Sequence, residues 1–270
     1  MFPLAGKSFP ESADELADAI RNALTQVLTL AKKDDAVSAD GGSYPSIKKL
    51  KINLNNAQVS AKDPPPKPEA KGKREPGIEV GQLEVVGKPI KYEQNKLDLE
   101  LKASGVKFDF GRDKKGQPLL VLADAKEGHV QAKMSKADIE SLARTAAEMA
   151  AGQQGIKIEG LDLKLTQEGK RSIAAEVRVK AKKLMVSGVI HLTGKLDIDD
   201  ELNATLSNID AKGEGMIGTM ASGLVKTKLK PYEGKVFPLM TFSLGDVTLR
   251  DLKIDITKDV QVSAEFGSKV

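Results

Sequence analysis

Apolar positions along the chain follow two periods. From about Ser12 to Ala31, Leu16, Ala17, Ile20, Leu24, Val27, Leu28 and Ala31 recur at three- and four-residue steps, with Asp14 and Glu15 in the first turn, where the helix dipole favours acids. That spacing predicts a helix about 30 Å long at a rise of about 1.5 Å per residue. A second helix is expected from Ser135, whose hydroxyl can cap a free N–H with Asp138 three residues on. Ile139, Leu142, Ala143, Ala146, Met149 and Ala150 form its apolar face, and Gly152 ends it. A third, from about Glu214 to Lys230, gathers Met216, Ile217, Met220, Ala221, Leu224 and Val225 and stops at Pro231. Gly215, Gly218 and Gly223 weaken it by about 1 kcal/mol each, unless a neighbouring backbone must come close.

Between the helices the period falls to two. Leu97, Leu99 and Leu101 alternate with polar residues, as do Val106, Phe108 and Phe110. The alternation returns in Leu161, Leu163 and Leu165; Val177 and Val179; Leu184, Val186, Ile190 and Leu192; Leu196 and Ile198; Leu202, Ala204 and Leu206; Met240, Phe242 and Leu244; and Leu252, Ile254 and Ile256. Strands that bury one face and wet the other belong to antiparallel sheets. Gly111 to Gly116, Gly169-Lys170 and Asp199-Asp200 are placed as hairpin turns. The order of helix, many strands, helix, four or five strands, helix, two or three strands is not the strict alternation of a parallel sheet, so the class is α+β. Residues 1–43 read as a helical segment packing on one main domain, 44–270. Asp63 to Gly77 (DPPPKPEAKGKREPG), with five prolines and no apolar period, reads as an exposed loop or stiff linker.

Composition narrows the chemistry. Hydrophobic residues make up 40 % and aromatics 4 %, so the core is aliphatic. The absence of cysteine removes disulfides, thiolate metal sites and cysteine nucleophiles, and two histidines cannot make a three-histidine zinc site. Lysine and arginine number 42 against 38 acids, a mixed-charge surface with no polyanion preference. Lys180, Lys182 and Lys183, with Lys226, Lys228 and Lys230, form basic patches without interleaved aromatics, suited to weak contact with anionic lipid headgroups and not to nucleic acid.

Motifs that carry catalysis are lacking. Gly6-Lys7-Ser8 has the tail of a phosphate loop but no room for its first glycine. His191 has the parity of Ser187 and Thr193 and is expected to face solvent, and Asp197, Asp199, Asp200 and Glu201 read as a hairpin turn without calcium-loop spacing. The expectation is a protein that is not an enzyme and holds no metal or cofactor. No cationic stretch followed by an apolar one opens the chain, and no apolar run approaches the roughly 20 residues of a bilayer span. A cytoplasmic location is therefore expected of the sequence as written, or a periplasmic one if a signal peptide was removed.

From about Gly128 to Ile256 the order of elements carries a resemblance. Lys133-Met134-Ser135-Lys136-Ala137-Asp138-Ile139-Glu140-Ser141-Leu142 opens a helix after a strand. Four amphipathic strands and a glycine-containing helix follow, and Pro238-Leu239-Met240-Thr241-Phe242 leads to a final hairpin. This resembles the tubular lipid-binding (TULIP) superfamily, especially its bacterial phospholipid-binding branch, over about half the chain. The resemblance implies a long, strongly twisted antiparallel sheet wrapped around a long helix, with about three helices in all and an apolar tunnel or groove for acyl chains. It also implies a non-enzymatic binder or transporter of phospholipid or another long-chain ligand, with peripheral membrane contact. The expected lining is Ile139, Leu142 and Met149; Leu163, Val179 and Ile190; Met216, Met220 and Leu224; and Met240 and Phe242. The alternative is a structural or protein-interaction role on the same fold with a filled core. The first helix is expected to pack on the sheet, the alternatives being to plug a groove or to pair two copies into a homodimer.

Overall fold

The computed structural model describes residues 1–60, 68–152, 155–239 and 247–268. Its elements run β1 (Phe2–Pro3), α1 (Ala13–Leu24), β2 (Leu28–Thr29), β3 (Val37–Asp40), β4 (Ser46–Asn53), β5 (Gln58–Val59), β6 (Lys71–Tyr92), β7 (Asn95–Arg112) and β8 (Pro118–Ser135). Then come α2 (Lys136–Gly152), β9 (Lys157–Gly169), β10 (Ser172–Lys183), β11 (Val186–Ile198), β12 (Asn203–Glu214), α3 (Gly215–Leu229), β13 (Val236–Pro238), β14 (Thr248–Ile256) and β15 (Asp259–Gly267). With 59 % strand and 19 % helix, the class is α+β. One sheet runs β14-β15-β8-β7-β6-β4-β3, with β1, β2 and β5 beside it, and the other runs β13-β12-β11-β10-β9. β1 with β8, β2 with β5, β3 with β4, β6 with β7 and the run β9 to β13 pair antiparallel, whereas β4 and β5 meet β6 in parallel. Neither sheet closes into a barrel among the described residues.

The chain forms two compact units. Unit 1 takes residues 1–133, 240–252 and 263–270, and unit 2 takes 134–239 and 253–262. The core of unit 1 joins Leu16, Ala17, Ile20 and Leu24 of α1 to Leu4, Ile47, Leu50, Ile78, Val80 and Val106. α1 begins where the Ser12 hydroxyl accepts the Glu15 N–H, at 3.2 Å. Its inner stripe is buried as the spacing requires, but the helix ends at Leu24 and not at Ala31. Thr25, Val27 and Thr29 are β-branched and lose side-chain freedom in a helix. Leu28–Thr29 pairs instead with Gln58–Val59, and Leu28 and Leu30 pack partly buried against the core.

The proline-rich stretch also ends earlier than its composition suggests. Residues 61–67 lie outside the described residues, Pro68 to Ala70 is irregular, and Lys71 to Gly77 already belongs to β6. There Pro76 faces Asp109 of β7 beside a break in register, which suits a residue with no N–H to give a ladder.

Unit 2 is a regular meander. β9 to β13 pair in sequence order, with turns at Lys170-Arg171, Leu184-Met185 and Asp199 to Leu202. Its core joins Ile158, Leu161, Val179, Ala181 and Ile190 of the sheet to Ile217 and Ala221 of α3, with Ala143, Ala147 and Ala151 of α2 packed partly buried against them.

Candidate functional site

The helices of unit 2 meet their sheet in different ways, and this decides which apolar side chains are left over. α3 sits backbone against backbone on β11 and β12. A Cβ on Gly213 would lie 2.0 Å from the Gly218 carbonyl oxygen, one on Gly188 2.3 Å from the Gly218 nitrogen, and one on Gly218 2.3 Å from the Val189 carbonyl oxygen. Only glycine fits at the crossing itself; around Gly218 the buried residues of α3 are Ala221 and Ser222, which are small, and Ile217, which reaches into the sheet core. Three of its larger apolar residues are turned out: Met216, Met220 and Leu224 are 75 %, 49 % and 55 % exposed.

α2 lies along the outer edge strand β9, held by polar groups as well as by Ala143, Ala147 and Ala151. Its start follows the spacing: Ser135 Oγ accepts the Asp138 N–H at 3.0 Å and donates to the same residue's carboxylate. Glu140 accepts the Leu163 N–H at 2.9 Å and Arg144 donates to the Glu159 carbonyl at 3.4 Å, so the helix satisfies backbone groups of the edge. No residue of α2 is fully buried, whereas α1 buries five. Ile139 and Leu142 are half-buried and Met149 is exposed.

The expected lining residues therefore separate. Val179 and Ile190 are buried in the sheet core and Leu163 packs against it. Ile139 and Leu142 are half-buried on α2 without joining that core, while Met149, Met216, Met220 and Leu224 face outward. Met240 and Phe242 lie outside the described residues. Of the three alanines of α2 the spacing singled out Ala143 but not Ala147 or Ala151, and it did not mark the β10–β11 tip. Leu184 there adopts φ +54° and is 90 % exposed, beside Met185 at 95 % and a partly uncovered Val186. Alternation places Leu184 in a strand; it occupies the turn. Lys-Lys-Leu-Met-Val contains no Gly, Asn or Pro to mark a tight turn, so no sequence signal was available there.

Unit 1 holds a cavity of about 640 Å³ edged by Lys49, Glu84, Lys102, Glu127, Arg250 and Glu265, with Phe266 beside it. Its charges largely answer one another. Lys49 pairs with Glu84 at 2.9 Å, and its hydrogen bond holds the Glu84 carboxyl below the usual range. Ser104 bonds Glu127 at 3.2 Å, and Arg250 donates to the Lys126 and Ser268 carbonyls. Among the described residues, none of the expected acyl-lining residues borders this cavity.

The other singled-out residues are engaged locally. His191 Nε2 lies 3.3 Å from Glu214. Asp197 accepts from Ser172 Oγ at 2.7 Å and pairs with Lys195; the first of these contributes most to holding its carboxyl low. Asp199 accepts from the Asn203 backbone and side chain, closing the turn. Among the described residues, no helix is long and apolar enough to cross a membrane. Comparison with protein-family models, with curated proteins and with solved structures gives no match in any of the three.

Proposed function

We propose that this protein binds phospholipid or another long-chain apolar ligand without catalysing a reaction, as the resemblance to the TULIP superfamily implies, with an acyl chain lying between α2 and the sheet of unit 2. The observation that carries the reading is the seating of α2. It is 17 residues long and rich in alanine, with Ile139, Leu142 and Met149 besides, yet no residue of it is fully buried. A helix that served only as core would bury a stripe, as α1 does. Each methylene removed from water contributes about 0.8 kcal/mol, so an acyl chain completing this layer gains affinity without specific hydrogen bonds. Met149 at the exposed side of α2 suits a flexible hydrocarbon guest. In this reading the sheet of unit 2 curls around its helix layer to make the groove.

Uptake of a fluorescent long-chain fatty acid tests the reading. Saturable binding is expected, weakened about tenfold by Ala147→Trp, whose indole would occupy the space of two or more methylenes. Absence of saturable binding, or binding indifferent to Ala147→Trp in a folded variant, contradicts it.

A further inference from the structure

Two apolar features of unit 2 are left without cover by the packing just described, and they are neighbours. The first is the outer stripe of α3, Met216, Met220 and Leu224, on a stretch from Gly215 to Val225 that carries no charge. The second is the β10–β11 tip. A Cβ on Gly215 would lie 3.1 Å from the Ser187 carbonyl oxygen, so α3 starts beside the first residues of β11, next to Leu184, Met185 and Val186. Neither feature has a role in the core. The glycine contact already holds α3 to the sheet through its small side, and Leu184 sits in a left-handed conformation that costs a branched side chain free energy, at a turn where Gly or Asn would be more stable in water.

Cations frame this surface. Lys183 precedes the tip on the face of β10 that carries the buried Val179 and Ala181 and that α3 covers, and Lys226, Lys228 and Lys230 follow the uncharged stretch of α3. Lys180 and Lys182 project from the other face of the strand. The nearby acids are Asp210, paired with Lys226 at 2.9 Å; Glu233, close enough to add to Asp210 in raising the Lys226 pKa; and Glu214, beside His191. Lys183, Lys228 and Lys230 form no ion pair among the described residues. An apolar stripe edged by lysines matches a layer whose surface is anionic and whose interior is hydrocarbon. A second copy of the chain fits less well, because a two-fold contact would bring these lysines against their own equivalents.

We propose that this face docks the protein on an anionic lipid bilayer, with the β10–β11 tip and the outer stripe of α3 entering the acyl region and the lysines meeting headgroup phosphates. The proposal stands apart from the acyl-ligand reading, which concerns α2 and the opposite side of the helix layer.

Flotation of the full chain with vesicles tests it. Vesicles of phosphatidylcholine with roughly one-third phosphatidylglycerol should carry the protein upward, phosphatidylcholine alone should not, and added salt should release it. Met185→Glu with Met216→Glu should lower binding more than about tenfold. Lys183→Gln with Lys228→Gln should lower it about fivefold per lysine while keeping the far-ultraviolet dichroism of the parent. Failure to float with anionic vesicles, or flotation unchanged in both double variants, overturns the proposal. So does light scattering that finds a dimer split by Met216→Glu, which would assign the face to self-association. Fatty-acid uptake by the same variants is expected to be unchanged, so loss of vesicle binding leaves the ligand reading standing and loss of uptake leaves the docking face standing.

Discussion

Gly218 and Gly223 lie on the same helix, and their surroundings give them opposite roles. Both look alike in the sequence, as helix-weakening residues that a close backbone contact would excuse. Only Gly218 has that contact: its added Cβ would press on Val189 at 2.3 Å, whereas one at Gly223 would meet nothing within 4 Å. Gly218→Ala should therefore destabilise the protein by about 1–3 kcal/mol through overpacking. Gly223→Ala should stabilise it by up to about 1 kcal/mol through helix propensity. The midpoints of urea denaturation check both signs; shifts of equal sign would contradict the seating of α3 described above. Leu184 illustrates what residue type does not reveal. Its neighbours are strand formers and lysines, and the turn is set by the pairing of Lys183 with Val186 across two strands, which period-two alternation cannot locate.

At the scale of elements, the limits of α2 and α3 were legible to within a residue, because the Ser135 cap, Gly152 and Pro231 are local chemical signals. α1 was read too long, since Val27 and Leu28 continue its spacing while their partners in β5 are distant in sequence. β6 was not read as a strand at all. Gly77, Gly81, Gly87 and Pro89 interrupt it, its apolar parity changes between Val80 and Leu83, and its pairing with β7 and β4 supplies what local propensity lacks. The helices should also differ in dynamics. α1 is buried along its inner stripe, whereas α2 is tied to β9 by Glu140 and Arg144, polar contacts that exchange readily with water. Amides of α2 should exchange with deuterium at least about tenfold faster than those of α1. Equal protection would mean that α2 is sealed like a core helix and would remove the main support for a ligand beside it.

For the whole molecule, period and composition indicated an α+β chain of largely antiparallel strands. They did not indicate a division in which residues 240–252 and 263–270 join unit 1 while 253–262 join unit 2. Such a division depends on contacts between segments more than a hundred residues apart, and binary patterning states which face is buried, not against what. The same limit applies to the candidate site. Leu, Val and Met stripes were visible, but their separation into core (Val179, Ile190), half-buried helix (Ile139, Leu142) and outward surface (Met216, Met220, Leu224) follows from how closely each helix approaches the sheet. The central claim is that an acyl chain completes the α2 layer of unit 2. Native mass spectrometry of protein purified from lipid-containing cells tests it most directly. The account predicts a population heavier than the bare chain by the mass of a phospholipid or fatty acid, lost from Ala147→Trp. A spectrum holding only the bare chain, from protein folded by every other criterion, would contradict it.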